Sequence, residues 1–131
     1  MRSINIPVSW GEFIDKITIL EIKCQRIADE VSLKNVLKEL SMLNDLFVIE
    51  ESLIEQILML KERLYQINSF IWEVESALRQ KEVINEFDEE FIKLARSVYI
   101  NNDKRYCIKK EINKILNSDL VEEKSHKGDL I

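Results

Sequence analysis

Three stripes of polar side chains recur at helical spacing, and they hold the residues of this sequence that could do chemistry. The first stripe advances by four, three, four and three residues and consists of Asn68, Trp72, Glu75, Arg79 and Glu82. This spacing places all five on one face of a helix. In one interpretation Trp72 stacks on a ring and Arg79 holds an anion with its planar fork of donors. In the more common interpretation the stripe is a row of ion pairs along the edge of the core.

The other two stripes carry six further basic residues. One lies near the amino end and consists of Glu12, Lys16, Lys23 and Arg26, with Asp15 adjacent. The other lies near the carboxyl end and consists of Arg96, Tyr99 and Asp103, flanked by Asn102, Arg105, Lys109 and Asn113. For the stripe near the amino end the more common interpretation is a solvated face. Asn102 stands where the apolar pattern expects a core residue, so it either sets the register of a bundle or marks a polar cavity.

Stripes that face one another inside a helical bundle would enclose a cavity rich in arginine and lysine. Such a cavity suits phosphate, carboxylate or nucleotide-sugar ligands, because arginine offers these groups two parallel hydrogen bonds. The ligand-binding residues predicted on this basis are Lys16, Lys23, Arg26, Trp72, Glu75, Arg79, Arg96, Tyr99, Asn102, Asp103, Arg105 and Lys109.

Other classes of site lack the residues that they need. A phosphate-binding loop requires several glycines, whereas this sequence has only Gly11 and Gly128. The single histidine, His126, has no cysteine or second histidine near it, so no zinc site is predicted. Cys24 and Cys107 are too few for a disulfide scaffold and are expected to be buried free thiols. The sequence therefore predicts no metal and no cofactor.

Composition limits the remaining functions. The chain has 131 residues, of which 46% are apolar and 33% charged, and its net charge of −5 argues against general binding of nucleic acid. Residues 44–90 are strongly acidic and residues 91–116 strongly basic. Either an acidic helix packs beside a basic one, or the basic segment forms an anion-binding surface. The absence of an apolar signal core, and of any run of about 18 apolar residues, predicts a cytoplasmic protein without a membrane span.

Apolar periodicity predicts an all-α fold, an antiparallel bundle of four to five helices in one domain over residues 1–131. Residues 1–8 form a short extended arm, and Ser9 with Glu12 makes a capping box that starts the first helix, predicted over residues 10–28. A second helix is predicted over residues 33–43, with Ser32 as its candidate cap. The third helix starts either near Asp45 or at Ser52. Residues 118–131 are expected to be a loosely held tail.

The third helix has the strongest pattern in the sequence. Apolar residues alternate there by four and three without a slip, at Leu53, Ile57, Leu60, Leu64, Ile67, Ile71, Val74 and Leu78. This heptad seam is typical of a coiled coil. A helix over residues 52–84 spans on the order of 50 Å, so the molecule is either elongated or pairs with a second copy along the seam. A homodimer through residues 53–78 is the predicted assembly. The fourth helix, which starts after Asp88, either breaks or continues at residues 101–103.

Three stretches of the sequence resemble a family of small bacterial helical proteins of unknown function. They are the opening IPVSWGEFIDKITILEIK, the middle INSFIWEVESALRQKE, and the late FIKLARSVYINNDKR with EEKS. The resemblance covers the chain except for a variable stretch around residues 41–55. It implies no catalytic residues, and it implies a link to surface-polysaccharide and glycosyltransferase genes. The tail departs from the family pattern, because His126 stands where the family has an aromatic residue.

Three functions follow from these patterns. The leading one is a binding or accessory module linked to surface-polysaccharide biosynthesis, whose partner is a protein or an anionic small molecule. The second is a small all-helical enzyme or binder that acts on an anionic metabolite, namely a nucleotide sugar, a sugar phosphate or a dicarboxylate. The third is a purely structural dimerisation module.

Overall fold

The computed structural model describes residues 2–125 and contains four helices and no strand over that range. The helices are α1 (Trp10–Arg26), α2 (Glu30–Leu46), α3 (Glu51–Val83) and α4 (Glu89–Ile115). The prediction of an all-α bundle is confirmed. None of these helices is long and apolar enough to cross a membrane. His126 lies outside the described residues.

The first two helices begin at side chains that cap them. The Ser9 hydroxyl accepts a hydrogen bond from the backbone N–H of Glu12 at 3.0 Å, which confirms the predicted start of α1. The second helix begins at Glu30, three residues earlier than predicted, because the cap is Asp29 and not Ser32. The Asp29 carboxylate accepts from the backbone N–H of Ser32 at 2.8 Å. The chain is therefore extended at Ile27, and α1 ends at Arg26.

The structure shows where the third helix begins and that the fourth helix is continuous, two points for which the sequence allowed alternatives. The third helix begins at Glu51, between the two predicted starts and without a side-chain cap. The fourth helix begins after Asp88, whose carboxylate accepts from the backbone N–H of Phe91 at 2.9 Å. It runs without a break through residues 101–103. Asn101 is compatible with the helix because its side-chain amide donates to the carbonyl of Ser97 at 2.8 Å, one turn back.

Both long helices end at an asparagine in the left-handed conformation, Asn85 with φ 55° and Asn117 with φ 51°. Asparagine tolerates this conformation better than most residues. After α3 the backbone N–H of Glu86 donates back to the carbonyl of Lys81 at 2.9 Å, which satisfies an otherwise free group at the helix end. The chain then reverses, so that α3 and α4 form a long antiparallel hairpin.

The first helix lies at the centre of the fold, since it packs against α2, α3 and α4. For that reason α1 is buried around much of its circumference, and its buried apolar residues are Ile14, Ile17, Leu20 and Ile22. The main core cluster joins three helices and consists of Ile14, Ile57, Leu60, Leu64, Ile108 and Ile112. No residue of α2 is fully buried.

The heptad seam of α3 is used inside the chain. Four of its eight residues, Ile57, Leu60, Leu64 and Val74, are buried against other parts of the same molecule, and the other four are half-buried. The seam is therefore an intramolecular contact. Pairing with a second copy, which remains a prediction, needs another surface.

The hairpin extends beyond α1. Arg26, the last residue of α1, pairs with Glu73, so the remaining ten residues of α3 and the start of α4 continue without α1 beside them. We call residues 82–92 the hairpin tip. Its apolar residues are largely open to solvent: Val83 is 80% exposed, Ile84 63%, and Phe87 54%.

Candidate functional site

A buried carboxylate joins the two ends of the sequence. Asp15 on α1 has 0% exposure and accepts hydrogen bonds from the guanidinium of Arg105 on α4. The two bonds are parallel, from Nε to Oδ1 at 2.9 Å and from Nη2 to Oδ2 at 2.5 Å. This fork is the strong geometry for an arginine and a carboxylate. The hydrogen bond with Asp15 raises the pKa of Arg105 above its ordinary value, so the arginine is charged at any physiological pH.

A second cation lies one turn further along α4. The Nζ atom of Lys109 is 2.6 Å from a carboxylate oxygen of Glu12 and 4.0 Å from Oδ2 of Asp15. Glu12 and Asp15 are three residues apart on α1, and Arg105 and Lys109 are four apart on α4, so each pair lies on one helix face. The two antiparallel faces therefore carry two carboxylates against two cations.

The third helix contributes Asn68, which is 7% exposed. Its amide nitrogen donates to Oδ1 of Asp15 and to the hydroxyl of Thr18, both at 2.9 Å. That hydroxyl donates in turn to the backbone carbonyl of Asp15 at 2.7 Å. We call the set that meets here the polar cluster: Glu12, Asp15, Thr18, Asn68, Arg105 and Lys109.

Two further contacts adjoin the polar cluster. In one the backbones of α1 and α4 approach closely, and in the other Glu122 of the tail contacts Ser9 and Asn113. Gly11 lies so near α4 that a β-carbon built on it would be 2.6 Å from the carbonyl oxygen of Lys109. The backbone N–H of Gly11 donates to the side-chain carbonyl of Asn113 at 2.7 Å. The carboxylate of Glu122 accepts hydrogen bonds from Ser9 and from the side-chain amide of Asn113. The described part of the predicted loose tail thus contacts the beginning of α1.

The polar cluster is closed. Both of its cations are matched by a carboxylate, and every buried side-chain nitrogen and oxygen among residues 2–125 has a hydrogen-bond partner. An incoming anion would have to displace Asp15 or Glu12. No group of histidine, cysteine, aspartate and glutamate side chains within residues 2–125 could hold a metal ion. The hydrogen bonds and ion pairs of the polar cluster hold α1 against the α3–α4 hairpin.

A large open groove lies between α3 and α4. It has a volume of about 900 Å³, and we call it the α3–α4 groove. Its lining residues are Glu62, Arg63, Gln66, Ile67, Asp103, Lys104, Tyr106, Cys107, Ile108 and Lys110. Cys107 precedes Lys109 by two residues, which is about 160° around α4, so the groove lies on the side of the hairpin that faces away from α1.

Three cations and one aromatic ring are among the residues that line this groove. Lys110 and Lys124 lie over the ring of Tyr106, with Nζ 5.4 and 5.1 Å from the ring centroid. Lys124 also pairs with Asp103. Cys107 is exposed here and Cys24 is half-buried, so the prediction that both cysteines are buried is wrong. Within residues 2–125 no helix covers this side of α4 at Cys107.

The comparison with known families decides what the chain is related to. Residues 4–130 match the model of a family of unknown function, DUF6165. The chain belongs to this family. No curated protein and no solved structure matches the chain. The resemblance predicted from the sequence motifs is thus confirmed as far as a family of unknown function; DUF6165 itself brings no activity and no site residues.

In this DUF6165 chain the predicted site residues divide into those that meet and those that do not. Arg105 and Lys109 join the polar cluster, and Asn102 contacts it, its side-chain oxygen accepting from Arg105 at 3.4 Å. Asp103 lines the α3–α4 groove. Glu75 and Arg79 line a separate cavity of about 280 Å³ near the hairpin tip.

The remaining predicted residues lie apart from the cluster. Lys16 pairs with Glu39 on α2, and Arg26 pairs with Glu73. The others are not brought together by the fold; Lys23 and Trp72 are half-buried, and Arg96 and Tyr99 are exposed. The predicted common cavity of arginines and lysines is therefore not formed by these side chains.

The residues that the prediction missed are those at the centre of the cluster. Asp15 stands between Ile14 and Ile17 in an apolar helix, which was a signal for a buried and paired carboxylate. Gly11, the one glycine among residues 2–125, lies inside a helix, which is a signal for a close approach of another backbone. For Asn113 the sequence offers only its helical spacing from Arg105 and Lys109.

Proposed function

We propose that this protein is a helical binding module that takes a helical segment of a protein into the α3–α4 groove. The observation that carries this proposal is the groove itself, which is large and open and whose lining includes Ile67, Cys107 and Ile108. A groove between two helices receives a third helix through its apolar stripe, which is a common mode of peptide recognition. The hairpin offers about 40 Å of helix for such a contact.

The apolar surface continues past the groove along the same side of the hairpin. Phe70 follows Arg63 by seven residues on α3, and Ile100 precedes Cys107 by seven on α4, so both share the groove side of their helices. Phe70 is 48% exposed and Ile100 44% exposed. Large side chains left open in a row on one face are typical of an interaction surface.

The anionic-metabolite alternative has less support from the geometry. Arg105 and Lys109 are matched by Asp15 and Glu12, and the cavity that contains Arg79 is lined by Glu75 and Glu82 as well. Carboxylates in both places oppose a second anion. The link to surface-polysaccharide biosynthesis is supported only by the family resemblance, which directs the search for a partner towards proteins of that process.

The proposal is tested by photo-crosslinking from inside the groove. Gln66 is replaced by benzoylphenylalanine, and Val31, an exposed residue of α2, is replaced in a matched control. We expect a covalent adduct from position 66 and not from position 31, with a partner that is identified by mass spectrometry. The adduct should re-form with purified components and disappear on Phe70→Glu. Equal labelling from both positions, or none from position 66, contradicts the proposal.

A further inference from the structure

We propose that the segment bound in the α3–α4 groove is the hairpin tip of a second copy of this chain, where the end of α3 meets the start of α4. In this arrangement two hairpins pack face to face and antiparallel, and each tip lies on the groove of the other copy. The inference rests on the proposed function, because it requires that the groove binds helices. It differs from pairing through the heptad seam, because four seam residues are buried within the chain and Ile67 alone of the seam lines the groove.

The exposed apolar residues of groove and tip lie on one side of the hairpin and form a strip that is interrupted at Ala77 on α3 and at Lys93 on α4. Ile84, the residue directly after α3, follows Phe70 by fourteen residues, which is two heptads, so it lies at the end of the groove side of that helix. The strip therefore runs from Ile67 in the groove through Phe70 and Ile100 to Ile84 at the tip, where Phe87 is also exposed. A strip of this length would be covered along its whole extent by an antiparallel copy of itself.

Charge selects the antiparallel orientation over the parallel one. The hairpin tip carries five acidic residues and no basic residue: Glu82, Glu86, Asp88, Glu89 and Glu90. Lys81 is adjacent and is shared among Glu86, Asp88 and Glu90, so the tip stays negative. A parallel pair would bring the two acidic tips together, which is repulsive.

The groove presents the opposite charge. Its lining includes three cations, Arg63, Lys104 and Lys110, that form no salt bridge with residues 2–125. Of its two carboxylates, Asp103 is already paired with Lys124. Antiparallel pairing brings the acidic tip of each copy onto these cations at both ends of the interface, and this double match favours the antiparallel arrangement.

The available area is that of a stable dimer. Two helices side by side are roughly 20 Å wide, and the shared face is about 40 Å long, which gives about 800 Å² for each copy. This is the usual size of a specific protein–protein interface. The pair is isologous, so a two-fold axis crosses its middle. Ile100 lies midway between Cys107 in the groove and Ile92 at the tip, and it therefore comes close to Ile100 of the second copy.

Disulfide trapping tests this geometry. In a background of Cys24→Ser and Cys107→Ser, Ile100→Cys should form a covalent dimer under mild oxidation. The matched control is Arg79→Cys, an exposed position on the α1 side of the hairpin, where we expect only monomer. Equal trapping at both positions, or trapping at Arg79→Cys alone, would overturn the proposed face.

A charge swap tests the orientation. Arg63 in one copy is placed near Glu86 in the other, so Arg63→Glu and Glu86→Arg should each raise the dimer dissociation constant about tenfold. The double variant should restore it to within about threefold of the wild-type value. Sedimentation measures the constants, and circular dichroism checks that the helices are retained. A double variant no tighter than either single one overturns the antiparallel pairing.

The crosslink from position 66 separates this inference from the proposed function. An adduct of twice the mass of the chain, made of this sequence alone, supports self-pairing. An adduct with a different protein leaves the groove as the binding surface and overturns the second copy as its occupant. A chain that sediments as a monomer at roughly 100 μM, far above the micromolar dissociation constants of ordinary specific complexes, also overturns self-pairing.

Discussion

Arg105 and Asp15 are 90 positions apart in the sequence and meet through two parallel hydrogen bonds, with Asp15 completely buried. This pair connects the first helix to the last. It brings a charge into the core, which is costly unless the charge is paired and its remaining acceptors are satisfied. Asn68 fulfils the second condition by donating to the same carboxylate. Three of the four helices are thus positioned by one side chain.

Removal of this carboxylate should be among the most destabilising single changes in the protein. Asp15→Ala leaves the guanidinium of Arg105 and the amide of Asn68 without their acceptor, and we expect a loss of about 3–5 kcal/mol in the free energy of unfolding. Urea denaturation measures the loss. The control is Lys16→Ala, which removes an ion pair with Glu39 whose side chains are 54% and 46% exposed, and it should cost at most about 1 kcal/mol. Similar costs for the two variants would show that the buried pair is not structural.

The close approach of α1 to α4 predicts that replacing Gly11 with alanine lowers the stability of the protein, although such a change in a helix ordinarily raises it. An alanine in place of a helical glycine ordinarily stabilises a protein by about 0.5–1 kcal/mol. Gly11→Ala should instead destabilise it by about 1–3 kcal/mol, because the new β-carbon would meet the backbone carbonyl of Lys109 at 2.6 Å and push the helices apart. Thermal unfolding measures the change. A variant that is more stable than the wild type would contradict the packing described for α1.

The contact between Glu122 and the beginning of α1 should hold the described part of the tail. Glu122→Ala removes the acceptor for the side-chain amide of Asn113, which is 2% exposed, and we expect a cost of about 1–3 kcal/mol. Hydrogen exchange of residues 118–125 should become faster at the same time. Glu123→Ala, a change at the neighbouring exposed position, is the control and should alter neither quantity. Unchanged hydrogen exchange in Glu122→Ala would mean that the hydrogen bonds of Glu122 with Ser9 and Asn113 do not hold the tail.

The parts of the fold that the sequence predicts well are those that depend on short-range pattern. The caps at Ser9 and Asp88 are local, since each needs only a side-chain oxygen and a backbone N–H three residues away. The second half of the predicted capping box is not formed, because the Glu12 carboxylate pairs with Lys109. The heptad seam of α3 likewise reports a buried face directly. The start of α2 was misplaced because Asp29 and Ser32 both qualify as caps, and only the packing of α1 decides where the chain must turn.

The candidate site was predicted less well, because spacing shows which residues share a face and not what that face meets. Arg105 and Lys109 were predicted to bind a ligand, yet the helix opposite them supplies Asp15 and Glu12. Arg79 has the same residue type and a similar spacing, but it lies beyond the end of α1 and cannot join them. Arg79 is excluded because α1 ends before it reaches that part of the hairpin. How far α1 extends along the hairpin depends on tertiary packing, which residue spacing does not show.

The hairpin turn should respond to acid in a predictable direction. The backbone N–H of Phe91, and then Lys81, donate hydrogen bonds to the Asp88 carboxylate and lower its pKa from 3.8 to about 2. A carboxyl group whose pKa is lower in the folded state contributes stability that is complete above pH 3.8 and is lost as the pH falls through about 2. The difference in the free energy of unfolding between the wild type and Asp88→Asn should therefore be constant above pH 3.8 and should decrease as the pH falls from 3.8 towards 2. Nuclear magnetic resonance titration of the Asp88 carboxyl carbon checks the cause: its midpoint should lie near 2 in the wild type and higher in Lys81→Met. A wild-type midpoint at 3.8 would show that neither hydrogen bond holds the carboxylate in solution.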